Sequence, residues 1–249
     1  MVQNDLSNSI CKNITFSSDG FLLKGILHLP ALNAPPVVIG SHGLLSSSSS
    51  PKQIALAQKC SQLGIAFFRF DHRGCGSSQG TFRDIPSFHG RCSDLISAIQ
   101  TVKARNDTGN RIGLFGSSMG GAVCLSTAST LEIDALVTFA ALVRSTPIVK
   151  ALKKSKDSDV LKSGLFENKY VFDISDKLIN IHNVLIFHGK ADDVVPVSHA
   201  LEIYKKANGS KRLILQEKGD HRMSNKAHQR QFILEAASWF KSCFSDTAG

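Results

Sequence analysis

The chain has 249 residues, 42% hydrophobic and 20% charged, which is enough for one sizeable core and excludes a disordered chain. Its net charge of +9 raises the question of a nucleic-acid partner. The basic residues are not interleaved with aromatics in a stacking pattern, and no RNA-binding signature accompanies them, so that class is set aside.

The charge is concentrated in two places, with seven Lys/Arg against three Asp/Glu from Arg144 to Lys169 and nine against three from Lys205 to Lys241. It reads as a solvated basic surface, with a preference for anionic substrates or surfaces as the alternative. No apolar run approaches the roughly 20 residues of a membrane-spanning helix, so no stable membrane insertion is expected. The opening "MVQNDLSNSICKNITF" has neither a basic start nor an apolar block, and the six scattered cysteines form no Cys-x-x-Cys pair or ligand cluster. Both features predict free thiols in a reducing, cytoplasmic compartment.

In chain order, "NITFSS" and "FLLKGILHL" flank Asp19-Gly20 and predict a β-hairpin. "PPVVIGSHG" is a continuous apolar run ending in glycine, as in a strand buried on both faces. "PKQIALAQKCSQLG" has helical spacing, with Pro51 at its start and Gly64 at its stop. "IAFFRFD" is the next strand, "SFHGRCSDLISAIQTVKAR" a helix, "RIGLFG" a strand and "MGGAVCLSTAST" a helix. "ALVTFAA", "NVLIFHG" and "KRLILQE" are further strands; the helix "SHALEIYKKA" separates the last two, and "AHQRQFILEAASWFKSCF" is a closing amphipathic helix. Eight strands alternating with helices predict a single α/β domain, with a mostly parallel sheet covered on both faces. The stretch 144–181 interrupts the alternation and is longer than most connections in such a fold.

The turn "GSSMGG" carries the chemistry. Gly-x-Ser-x-Gly fits Gly116, Ser118 and Gly120 but not Ser117, which has Phe115 where the first glycine is required. Between a buried strand and a helix, a sharp turn lifts the central serine clear of the sheet, beside a helix N-terminus that favours developing negative charge. The bland alternative is a tight turn with no chemistry. A serine hydroxyl needs a histidine base, and that base an orienting acid. His221, in "LILQEKGDHRM", follows the last strand, and "IFHGKADDVVP" places Asp192 and Asp193 after the preceding one. The Gly-x-Gly-x-x-Gly dinucleotide pattern fails because position 79 is Gln79, and no lysine follows the Ser118 turn to make a phosphate-binding loop.

These segments together resemble the α/β-hydrolase family across nearly the whole chain. "SHGLL" resembles its His-Gly oxyanion loop and "FRFDHRGCGSS" its Asp-x-Arg-Gly-x-Gly-x-Ser segment. "GSSMGG" resembles the nucleophile elbow, "HGKADDVVP" the acid motif and "GDHRM" the histidine loop. The resemblance implies Ser118 as nucleophile, His221 as base and Asp192 rather than Asp193 as acid. It also implies backbone N–H groups of Leu44 and Met119 as the oxyanion hole, and no metal or organic cofactor.

The overall pattern is most similar to cinnamoyl/feruloyl-esterase-like and monoacylglycerol-lipase-like members. It implies a serine hydrolase acting on small-molecule esters of small to medium acyl groups. A thioesterase, acyltransferase or acyl-peptidase with the same triad, and a non-catalytic ligand-binding member of the fold, remain as alternatives. The resemblance makes 144–181 a short cap, with Ile148, Leu152, Leu161, Leu165 and Phe166 as pocket or core residues. His42 and His188 read as structural, Asp71 and Arg73 as a buried pair that holds the loop after its strand, and Cys75 as a small packing residue.

Overall fold

A computed structural model describes residues 9–82, 87–146 and 169–245. The opening hairpin is β1 (Ile10–Ser18) and β2 (Phe21–Leu29), joined at Asp19 and Gly20, both at positive φ. Then follow β3 (Val37–Ser41), α1 (Pro51–Gln62), β4 (Ala66–Phe70), α2 (Phe88–Lys103), β5 (Ile112–Ser117), α3 (Met119–Ala128) and β6 (Ala135–Phe139). A 3-10 turn (Lys177–Asn180) leads into β7 (Val184–Gly189), α4 (Ser198–Lys206), β8 (Lys211–Gln216) and α5 (Lys226–Ser245).

The eight strands form one sheet in the order β1-β2-β4-β3-β5-β6-β7-β8. β1 and β2 are antiparallel to one another and β2 to β4; every other pairing is parallel. The apolar runs make continuous hydrophobic strands because both faces are covered, and alternate side chains go to different cores. Val37, Ile39, Phe68 and Phe70 pack on the face that carries α2, α3 and α4. Val38, Phe67, Phe115, Val137 and Phe187 pack on the other, beneath α1 and α5. There Phe232 of α5 sits among Phe115, Phe139 and Phe187, with ring centroids 5.4, 6.2 and 5.1 Å away.

This order fixes where a site can form. After β3 the chain moves outward to β4, and β5 then returns to the opposite side of β3. The loops leaving the carboxyl ends of β3 and β5 therefore diverge, opening a crevice at that switch point. "SHGLL" leaves β3 there, and the Ser118 turn leaves β5.

Candidate active site

Ser118 joins β5 to α3 with φ 54° and ψ −119°, a backbone conformation that an L side chain adopts only under strain. The turn is held from several sides. Ser118 N–H donates to the Phe139 carbonyl of β6 at 2.8 Å, and Gly121 N–H returns to the Ser118 carbonyl at 2.9 Å. The flanking glycines are required by close approach. A Cβ on Gly116 would lie 2.6 Å from the Gly120 carbonyl carbon, and one on Gly120 would lie 2.7 Å from the His42 oxygen. The spacing of small residues seen in the sequence is thus the condition for packing α3 against β5 and the loop after β3.

That loop passes directly beside the serine: a Cβ on Gly43 would be 3.8 Å from Ser118 Cβ. Met119 is the first residue of α3, so its N–H lacks an intrahelical acceptor. Among the described residues neither Met119 N–H nor Leu44 N–H donates a hydrogen bond. Met119 directly follows Ser118, and Leu44 is one residue past the glycine that approaches it.

Asp192 and His221 are joined directly. His221 Nδ1 donates to Asp192 Oδ2 at 2.8 Å, which leaves Nε2 as the ring's acceptor. Asp192 Oδ1 accepts from Val194 N–H at 2.9 Å and Val195 N–H at 2.8 Å. Burial pushes this carboxyl up, but the His221 hydrogen bond and charge and the two backbone N–H groups outweigh it, holding it below the ordinary value. The neighbouring Asp193 is exposed and takes no part. Ala191 N–H donates to the Gly219 carbonyl at 2.9 Å, tying the acid loop to the histidine loop.

Ser118 and His221 are not hydrogen-bonded to one another among the described residues. Catalytic hydrogen bonds are commonly longer before substrate binds. Lys52, near the start of α1, bridges the two loops. Its ammonium lies 4.5 Å from the Phe139 ring, whose residue holds the elbow, and donates to the Arg222 carbonyl, next to His221, at 3.0 Å. Burial lowers its pKa to about 8, partly offset by Asp220 and Asp192. The sequence reading missed Lys52, which gave no signal beyond its place one residue into α1.

The remaining landmarks fall as follows. His42 Nδ1 donates to the Gly43 carbonyl at 2.8 Å and Nε2 accepts from His72 N–H at 3.2 Å, so it shapes its own loop. His188 Nε2 donates to the Val195 carbonyl at 2.8 Å. Both histidines hydrogen-bond loop backbone, as expected from their positions before strand-end glycines, and His188 Nε2 also lies 3.4 Å from Asp192 Oδ2. Asp71 and Arg73 are not a pair, which corrects that expectation. Past the end of β4 the chain turns, with Cys75 N–H donating to the His72 carbonyl. Asp71 accepts from Ser48 N–H at 2.7 Å and Ser77 N–H at 3.0 Å. Arg73 instead pairs with Asp94 of α2 at 2.7 Å and Asp19 of the hairpin turn at 2.8 Å.

Asp94 also accepts from His72, whose other ring nitrogen meets Ser41 Oγ at 2.9 Å. This second Ser-His-Asp series is sealed in the core, with Ser41, His72 and Asp94 all at 0% exposure. It braces the floor of the crevice and has no path to a substrate.

Of the 144–181 segment, the structure describes its two ends. Arg144 and Asp173 form a bridge at its base, and Ile174 and Leu178 are buried in the core. Ile148, Leu152, Leu161, Leu165 and Phe166 lie outside the described residues. No helix among the described residues is long and apolar enough to cross a membrane.

A family profile described as serine aminopeptidase, S33, matches residues 33–171. The chain is 32% identical over 196 residues to YfhR of Escherichia coli (strain K12), covering 77% of this chain and 65% of that protein. It is 30% identical over 216 residues to the mitochondrial palmitoyl-protein thioesterase ABHD10 of Mus musculus, covering 77% of this chain and 71% of the relative. Among solved structures, Est1E from Butyrivibrio proteoclasticus with ferulic acid bound superposes with a TM-score of 0.80 at 18% identity, over 94% of this chain and 100% of that one. The Pyrococcus furiosus esterase Pf2001 gives 0.78 at 18% identity, over 97% and 96%.

Proposed function

The chain belongs to the α/β-hydrolase family of serine hydrolases, and from that premise we propose that it cleaves carboxylic esters of small to medium acyl groups through Ser118, His221 and Asp192. The observation that carries this reading is the Asp192–His221 hydrogen bond, held at the same edge of the sheet as a strained, glycine-packed Ser118. His221 Nε2 takes the Ser118 proton as Oγ attacks the carbonyl, and the Asp192 carboxylate stabilises the imidazolium. The oxyanion is met by Leu44 and Met119 N–H groups, each worth about 3 kcal/mol in the transition state. The protonated ring delivers its proton to the leaving oxygen, and a water activated by the same nitrogen releases the acid.

The ligand is a small-molecule ester, and six cysteines none of which is in a disulfide fit a reducing, cytosolic location. Similarity to the ABHD10 thioesterase favours a second reading in which the same residues cleave a thioester. A fluorophosphonate probe applied to wild type, Ser118→Ala and Ser117→Ala tests the nucleophile. Labelling lost only in Ser118→Ala supports it; labelling lost only in Ser117→Ala, or absent from wild type, refutes it. Relative turnover of matched ester, thioester and aminoacyl-anilide substrates then decides the bond.

A further inference from the structure

Arg91 breaks two rules at once. It lies in the first turn of α2, where the helix dipole disfavours a cation, and its side chain is among the largest that are fully buried, at 0% exposure. Among the described residues no carboxylate lies within ion-pair distance of it, although a buried guanidinium usually has one. It hydrogen-bonds the Tyr170 side chain, and its two Nη groups reach the backbone of the loop after β3. Nη1 donates to the His42 carbonyl at 3.2 Å and reaches the Gly43 carbonyl at 3.5 Å. Nη2 donates to the Leu44 carbonyl at 3.2 Å and to Cys75 Sγ at 3.4 Å.

Three consecutive carbonyls drawn to one cation fix three peptide planes. In a trans peptide the carbonyl of one residue and the N–H of the next point in opposite directions, and the described residues contain no cis bonds. With the Gly43 carbonyl turned toward Arg91, Leu44 N–H is turned away from it. Gly43, whose carbonyl the guanidinium reaches, also approaches the serine turn, where a Cβ on it would lie 3.8 Å from Ser118 Cβ. The peptide dipoles then have their carbonyl ends on Arg91 and their N–H ends turned away from it, an arrangement that favours negative charge on the N–H side.

Resting on the Ser118 reading, we propose that Arg91 is a positioning residue for the oxyanion hole: it touches no substrate, but it holds the His42–Leu44 backbone so that Leu44 N–H faces the reacting carbonyl, and its charge polarises that loop. A structural brace alone would lower stability and leave the balance between ground-state and transition-state binding unchanged.

The test uses the full chain with Arg91→Lys, which keeps the charge but loses the planar fork, and Arg91→Met, which loses both. Turnover of p-nitrophenyl butyrate is measured with the affinity for an aryl trifluoromethyl ketone, whose hemiketal oxygen becomes an oxyanion on attack. The expected result is a ten- to hundredfold fall in kcat for Arg91→Met and a smaller fall for Arg91→Lys. KM should stay within about twofold, and ketone affinity should fall in step with kcat/KM. Arg91→Lys carries the test alone if Arg91→Met does not accumulate as folded protein. A folded variant with kcat within twofold of wild type, or with KM rising as much as kcat falls, overturns the proposal. If wild type itself neither turns over ester nor takes the fluorophosphonate, the Ser118 reading has failed and this inference falls with it. An active wild type with a dead Ser118→Ala isolates the outcome to Arg91.

Discussion

The strain at Ser118 can be measured as stability. Its φ of 54° with ψ −119° is a conformation in which a Cβ crowds the backbone, at a cost of about 1–3 kcal/mol, whereas glycine adopts it freely. Ser118→Ala removes the hydroxyl and keeps the crowded Cβ; Ser118→Gly removes both. The glycine also loosens the unfolded chain, which costs about 0.4–1 kcal/mol. The difference leaves Ser118→Gly more stable than Ser118→Ala by about 0.5–2 kcal/mol. For a domain of this size that corresponds to about 1–8 °C in Tm. Both variants should be inactive toward esters. Urea unfolding at equal m-value, with Tm as a second readout, makes the comparison. Equal stability, or a less stable Ser118→Gly, would show that the turn is not strained and that the elbow stores nothing for the site.

Asp192→Asn should leave the fold intact and lower kcat by about 10³-fold or more, because the amide no longer holds the Nδ1–H form of His221; an ester assay showing less than a tenfold loss contradicts the assigned acid. Phe232→Ala empties the space between Phe115, Phe139 and Phe187 and should cost about 3–5 kcal/mol in urea unfolding, whereas a cost below 1 kcal/mol would mean the face under α5 re-collapses. His28 is held neutral, its pKa lowered to about 4 by burial and then by the Arg69 charge, whose Nε donates to His28 Nε2 at 2.9 Å. The unfolded chain takes this proton near 6.5 and the folded one only near 4, so stability is full above pH 6.5 and is lost as pH falls through that window. His28→Gln still accepts from Arg69 and should flatten the decline in midpoint relative to wild type; parallel profiles would refute it. Lys52 titrates near 8 when folded and near 10.5 when unfolded, so wild type should gain stability relative to Lys52→Met as pH rises from 8 to 10.5, read from the difference in unfolding midpoints.

Much of this architecture is legible because it depends on short-range pattern. A strand buried on both faces must be apolar at most positions, and "VVIGS", "AFFRF" and "VLIFHG" are, with Ser41, Arg69 and His188 as hydrogen-bonded exceptions. The elbow is legible because its two glycines sit where a Cβ would collide with backbone, a requirement local to five residues. Asp192 and His221 are legible because strand order alone brings the loops after β7 and β8 together. What sequence does not show is which distant group a buried charge will find. Asp71 and Arg73 stand two residues apart, and proximity makes them look like a pair. The turn past β4 separates them, and α2 supplies Asp94 in place of Asp71.

Arg91 is the sharper instance. On a helix wheel it is one more basic residue in a basic chain, and nothing in its spacing distinguishes it from the solvated lysines nearby. Its role comes from the depth at which α2 packs against the loop leaving β3, a tertiary quantity. Yet the residue carries a local contradiction, a cation in the first turn of a helix with no acid in that turn. A fold tolerates such a conflict where the misplaced charge performs a task, and here the charge ends on three consecutive carbonyls of the loop whose Gly43 approaches Ser118. The elbow is then a product of short-range sterics, whereas the oxyanion loop depends on one long-range cation. A substitution in α2, far from the Gly-x-Ser-x-Gly turn in sequence, should therefore reach the transition state before it reaches the fold.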